Sequence, residues 1–178
     1  MVRFIQTVAA GIKMSGAAVI GASLALAMPL AASAADKATD FALRDIDSHD
    51  VTLSQYKGQV VVMQFWATWC GPCKVEMPHL QKMYTELKDQ GMVVLSVSTD
   101  DARTASQVKP FVKKMKYTFP VLLDKESTVV GAYNPSKTLP YLVIIDRNGD
   151  VVQRHSGYNP GDEVHVHEEV VAALGAHK

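Results

Sequence analysis

Residues Val60–Lys74 read VVVMQFWATWCGPCK. Val60-Val61-Val62-Met63 is an apolar, β-branched run that continues through Phe65 and Trp66. A run of this kind reads as a strand buried on both faces, as in the centre of a parallel sheet. Lys74 to Asp89 then has helical spacing. Cys70 and Cys73 therefore fall where a strand gives way to a helix. A helix N-terminus presents unpaired N–H groups and the positive end of its dipole, which favours negative charge. A thiolate is such a charge, so the position lowers a cysteine pKa and raises the reactive fraction. Pro72 is preset for a first helical turn. The pair reads as a dithiol/disulfide site.

C-x-x-C by itself is also half of a zinc site. A structural zinc site needs about four N/S ligands, and the chain has only these two cysteines. A static structural disulfide is the other alternative. Closing so short a loop stabilises little through chain entropy, which leaves redox chemistry as the favoured reading.

The stretch FWATWCGPC resembles the thioredoxin fold. Several further segments narrow the resemblance: Thr52-Leu53-Ser54-Gln55-Tyr56-Lys57-Gly58, Glu76-Met77-Pro78, Phe119-Pro120-Val121-Leu122 and Leu142-Val143-Ile144-Ile145-Asp146-Arg147-Asn148-Gly149. Together they resemble the TlpA/ResA-like branch, which are extracytoplasmic thiol–disulfide oxidoreductases. The likeness runs from about Asp40 to Tyr158. The implied fold is α/β and thioredoxin-like. It has a central mixed sheet flanked by helices, an N-terminal β-hairpin and a central αβ insertion.

Two domains of unequal kind are expected: a signal peptide over 1–34 and a thioredoxin-like domain over 35–178. Arg3 and Lys13 are the only charges before Asp36, and Met14–Leu30 is an uncharged stretch of 17 residues. Ala32-Ser33-Ala34 is a small-x-small cleavage pattern. An uncleaved anchor is the alternative, but 17 residues is at the short limit for a span. The whole chain balances 18 basic against 18 acidic residues. Removal of Arg3 and Lys13 leaves 16 against 18, a formal charge of −2. Nothing in that balance suggests a nucleic-acid partner. Export predicts an oxidising compartment such as the periplasm.

Along the rest of the chain, Phe41–Leu43 and Val51–Leu53 flank a polar turn and predict a small hairpin at the edge of the fold. The helix after the cysteines should turn Met77, Leu80, Met83, Tyr84 and Leu87 inward, be kinked near Lys74 by Pro78 and end at Gly91. Met92–Val97 reads as the next buried strand. Ser98–Asp101 reads as the cap of a helix over Ala102–Met115 that Pro110 interrupts. Its lysines, Lys109, Lys113, Lys114 and Lys116, read as a solvated face. Val121–Leu123 predicts a short strand and Glu126–Tyr133 a short helix. Tyr141–Ile145 and Val151–Arg154 flank Asn148-Gly149, a type I′ hairpin signal. A last helix is expected over Glu163–Leu174.

Position makes Cys70 the attacking sulfur, at the exposed lip of the helix, and Cys73 the resolving one. Trp66 reads as core. Trp69 reads as a cover for the sulfur and an apolar surface for substrate. Glu76 lies three residues after Cys73, on the same helix face, where a carboxyl can take the Cys73 proton. A first-turn acid that only complements the dipole is the alternative. The resemblance implies a glutamate at this position. It also implies that thioredoxin's buried acid, six residues before the first cysteine, is replaced here by Gln64. It further implies a cis bond at Leu139–Pro140 facing the dithiol, with the Leu139 backbone pairing with substrate. Tyr141-Leu142 departs from the small hydroxyl residues usual in the family. His165 and His167, two apart, do not face each other on a helix. With His177 they do not suggest a metal site. His49 and His155 read as exposed. No metal and no cofactor are expected.

The expected function is reduction of protein disulfides after export, since Gly71-Pro72 matches the reducing thioredoxin dipeptide. The partners this implies are disulfide-bearing exported proteins and a membrane thiol reductase as electron donor. Apocytochrome c or a copper-site protein are the targets the resemblance suggests, and a monomer is expected. A disulfide oxidant or isomerase, and a copper chaperone using the dithiol as ligands, are the alternatives. A peroxidase would need a lone cysteine in a different setting.

Overall fold

The sheet is built around Val60–Trp66, all seven of whose residues are buried. The computed structural model describes residues 36–176. The signal-peptide reading and His177 lie outside the described residues. In chain order the strands are β1 (Ala42–Asp45), β2 (Asp50–Thr52), β3 (Val60–Trp66), β4 (Met92–Ser98), β5 (Val121–Leu123), β6 (Tyr141–Ile145) and β7 (Val151–Ser156). The helices are α1 (Gly71–Leu87), α2 (Val108–Met115), α3 (Thr128–Tyr133) and α4 (Asp162–Gly175). The strands form one mixed sheet in the order β2-β1-β5-β4-β3-β6-β7. β3 pairs parallel with β4 and antiparallel with β6. The β1–β2 hairpin extends the sheet antiparallel from β5. This is the thioredoxin-like architecture expected from the sequence, with the hairpin at its edge.

Alternation along β3 divides the core. Val60, Val62 and Trp66 pack with Cys73, Met77 and Leu80 of α1, with Val108 and Val112 of α2 and with Val166 and Val170 of α4. Val61, Met63 and Phe65 pack on the other face, with Val129, Val130 and Tyr133 of α3 and with Val51 and Leu53. A strand with helices on both sides is apolar at every position. That is why the quoted run carries no polar alternation apart from Gln64.

α1 begins at Gly71, three residues earlier than the spacing suggested, and buries Met77, Leu80, Met83 and Leu87 as expected. Pro78 lies inside it without ending it. A 3-10 turn and Gly91, at φ +91°, close its C-terminal end. The second helix differs from expectation. A 3-10 turn at Ala105–Gln107 precedes α2, which starts only at Val108. The Asp101 carboxylate accepts from the Arg103 N–H and its carbonyl from Ala105 N–H, which makes a local turn in place of a helix. Pro110 then lies in the first turn of α2, where its missing N–H costs nothing.

The β6–β7 connection also differs. Of Asn148 and Gly149, only Gly149 has positive φ, at +82°. A type I′ turn needs both. The Asp146 carboxylate accepts from the N–H groups of Asn148 and Asp150, both at 2.9 Å. That leaves Asn148 outside the positive-φ region and makes Gly149 the left-handed closing residue of a three-residue loop.

Candidate active site

The C-terminal end of β3 delivers the cysteines. The Trp66 carbonyl accepts from Thr99 N–H at 2.8 Å, which ties the strand end to the segment after β4. Thr68 is held from two sides. Its N–H and hydroxyl donate to the Asp100 carboxylate at 2.8 and 2.5 Å, and its carbonyl accepts from Lys74 Nζ at 3.0 Å. Asp100 is fully buried and also accepts from the Ser98 hydroxyl. A buried charge needs such partners. Here they fix the loop from which Trp69 and Cys70 project.

Cys70 is the N-cap of α1. Its sulfur accepts from Cys73 N–H at 3.2 Å, and Pro72 sits in the first turn. The amide groups that stabilise a thiolate are therefore already aimed at Cys70. Cys70 and Cys73 are joined in a disulfide, with Cα atoms 5.4 Å apart. The expected lip is occupied by a different residue. Cys70 is only 5% exposed, whereas Trp69 is 67% exposed. The cysteine turns back to cap the helix, so its backbone neighbour takes the surface. Gly71, Pro72 and Val75 are exposed around it. The rim of the disulfide is thus small or apolar.

Glu76 lies on the buried face of α1 with Cys73 and is 5% exposed. Gln64 Nε2 donates to its carboxylate at 2.6 Å. Burial pushes the Glu76 carboxyl up from 4.5 to about 7; the Gln64 hydrogen bond opposes the rise, and the Asp162 charge adds to it. A carboxyl poised near neutrality can both take and return a proton at working pH. The alternative, a first-turn acid that only complements the dipole, does not fit, because α1 starts at Gly71 and its first turn holds no acid.

Leu139–Pro140 is a cis peptide bond. Tyr141 pairs with Phe65, so Pro140 enters β6 beside the end of β3 from which the cysteine loop leaves. Trp66 is fully buried as expected, with its ring centroid 5.5 Å from that of Phe111. His155 is not simply exposed. It is half-buried, and its Nε2 lies 2.6 Å from Glu169, which ties β7 to α4. His167 sits 3.3 Å from Glu86, His165 3.7 Å from Glu168 and the exposed His49 3.0 Å from Asp45. Among the described residues no group of three His, Cys, Asp or Glu is placed to hold a metal.

Sequence reasoning overlooked Asp100, Thr68 and Lys74. Asp100 was legible only as part of a polar cap. The usable signal was its place just past a buried strand neighbouring the cysteine strand, since parallel sheets gather their sites at the strand C-termini.

The sheet order, the strand-to-helix dithiol and the buried acid beside it define a thioredoxin-fold thiol–disulfide oxidoreductase. Comparisons with known proteins agree. The chain belongs to the AhpC/TSA family, whose model matches residues 34–154, and within it to the ResA/DsbE type of thiol–disulfide oxidoreductase. It is 36% identical over 134 residues to the thiol-disulfide oxidoreductase ResA of Geobacillus kaustophilus, covering 75% of each chain. A Chlorobium tepidum protein assigned as a thiol:disulfide interchange protein DsbE superposes with a TM-score of 0.73 at 34% identity. That match covers 79% of this chain and 97% of the other. The exposed lipoprotein thioredoxin Etrx1 of Streptococcus pneumoniae gives a TM-score of 0.62 at 29% identity, covering 74% and 99%.

Proposed function

We propose that the protein is exported and there reduces disulfides of other proteins, with Cys70 as nucleophile, Cys73 as resolving thiol and Glu76 as proton acceptor. The observation that carries this reading is the pairing of an N-capping Cys70 with a buried carboxyl one turn beyond Cys73. In the reduced enzyme the Cys70 thiolate attacks one sulfur of a substrate disulfide. That S–S bond breaks, a mixed disulfide forms, and the first substrate thiolate leaves and is protonated. Glu76 takes the Cys73 proton. The Cys73 thiolate attacks Cys70 Sγ, closes the intramolecular disulfide and releases the second substrate thiolate, which is protonated in turn. Two electrons pass from the dithiol to the substrate.

Trp69 and the exposed backbone before Pro140 form the surface on which an extended substrate segment lies, with Leu139 as the pairing residue. The Gly71-Pro72 dipeptide supports the reducing direction. A reductant in an oxidising compartment needs electrons supplied across the membrane, so a membrane thiol reductase is the donor. Cytochrome c maturation, through apocytochrome thiols, or copper-site assembly is the process served. The uncharged Met14–Leu30 run and Ala32-Ser33-Ala34 support export with cleavage after Ala34 and a periplasmic address. Among the described residues no helix is long and apolar enough to cross a membrane.

The test is the reduction potential in glutathione buffers. A value toward thioredoxin, about −270 mV, supports a reductant; one near about −120 mV makes the protein an oxidant. Copper(I) binding by the reduced dithiol without insulin-reducing activity would favour a chaperone. N-terminal sequencing of the exported protein tests the cleavage site.

A further inference from the structure

Gln64 is the one polar residue of β3. It is fully buried and lies on the same strand face as Val62 and Trp66, toward α1. A polar group there is costly unless it is partnered. Its Nε2 has the Glu76 carboxylate at 2.6 Å. Its Oε1 is buried with no partner among the described residues. Ser96 pairs with Gln64 in register on β4, and its hydroxyl is also buried without a partner among the described residues. Strand spacing puts the two backbones about 4.8 Å apart, with both side chains toward α1.

A carboxyl that titrates inside a core needs a partner for each of its forms. The carboxylate needs a donor, and the acid needs an acceptor for its O–H. A primary amide carries one of each. We propose that Gln64 is the positioning residue that serves Glu76 in both protonation states, turning its amide over as the proton arrives and leaves. With Glu76 ionised, Nε2 donates to the carboxylate, as observed. With Glu76 protonated, the amide presents Oε1 to the acid O–H. The Ser96 hydroxyl, which can donate or accept and is without a partner among the described residues in the observed orientation, is the neighbour that would meet the far end once the amide has turned. The other groups near Glu76 do not substitute. Asp162, at the start of α4, repels the carboxylate. The Tyr158 phenol donates to Glu163 at 2.7 Å. Cys73, one turn back on α1, is the group that exchanges the proton. The side chain of Leu142, opposite Gln64 on β6, carries neither charge nor hydrogen-bonding group.

This inference rests on Glu76 exchanging a proton with Cys73, and the experiment separates the two claims. The Glu76 carboxyl is titrated by carbon NMR in the oxidised full chain, and the pH profile of disulfide turnover is measured alongside. Both are repeated in Gln64→Met, which keeps the volume and removes the amide. A hydrogen bond to a charged group is stronger than one to a neutral group. The Glu76 midpoint should therefore rise by about one pH unit in the variant. The acidic limb of the rate profile should follow, with an about tenfold loss there that alkaline pH restores. An unmoved midpoint, or an equal loss at every pH, overturns the role of Gln64. A midpoint that moves while the rate profile stays put upholds Gln64 and overturns Glu76 as the proton acceptor. If Gln64→Met does not fold, Gln64→Asn withdraws the amide by one methylene and gives the same readouts.

Discussion

Replacing Glu76 by glutamine should change how stability depends on pH. The Glu76 carboxyl is pushed up from 4.5 to about 7, chiefly by burial. Below 4.5 both folded and unfolded chains hold this proton, and the full stability is present. As pH rises, the unfolded chain releases it first, and through about 7 the folded chain must ionise a buried group. Stability is therefore lost across that window and stays lost above it. The gap between 4.5 and about 7, at about 1.4 kcal/mol for each pH unit, comes to roughly 3 kcal/mol. Glutamine keeps the shape and accepts from Gln64 Nε2, but it never ionises. The assay is urea unfolding of the oxidised wild type and Glu76→Gln from about pH 5 to about pH 9. The difference between the two proteins cancels the other titrating groups. Glu76→Gln should gain roughly 3 kcal/mol relative to wild type over this range. A difference that stays flat with pH would refute the claim that burial holds the Glu76 proton.

The other predictions follow from the same geometry. Cys73→Ser should leave Cys70 able to attack but unable to be released, so a mixed disulfide with substrate accumulates, which mass spectrometry detects; Cys70→Ser should form none. Asp100→Ala removes the acceptor of the Thr68 N–H and hydroxyl and should cost about 2–4 kcal/mol, with faster amide exchange at Thr68 than at Leu95. Trp69→Ala should raise KM for protein disulfides while leaving stability within about 0.5 kcal/mol, since the side chain is mostly in solvent. Gly149→Ala should cost about 1–2 kcal/mol in a thermal melt. Gly149 holds φ +82°, and an added Cβ meets nothing within 4 Å, so the penalty is that of the backbone alone.

Local signals carried most of the fold. The apolar Val60–Trp66 run, the helical spacing that follows and the Met92–Val97 run each fix an element through short-range periodicity, and the structure forms all three, with α1 starting three residues earlier and β4 running one residue further than read. Errors arose where a side chain outweighed propensity. Asn148-Gly149 is a strong type I′ signal, yet the Asp146 carboxylate captures the turn. Ser98–Asp101 looks like a helix cap, yet Asp100 points inward to Thr68.

Much of the site was also local. Cys70, Cys73 and Glu76 share one helical stretch, so their spacing alone puts the last two on one face. The sequence by itself thus determined a dithiol at a helix start with an acid one turn on. Only the tertiary structure decided how that acid behaves. Its burial, the Gln64 amide on it and the Asp162 charge come from β3 and α4 packing on α1. A carboxyl's proton affinity depends on what surrounds it in space, and neighbours 12 and 86 residues away are not written in the spacing of the motif.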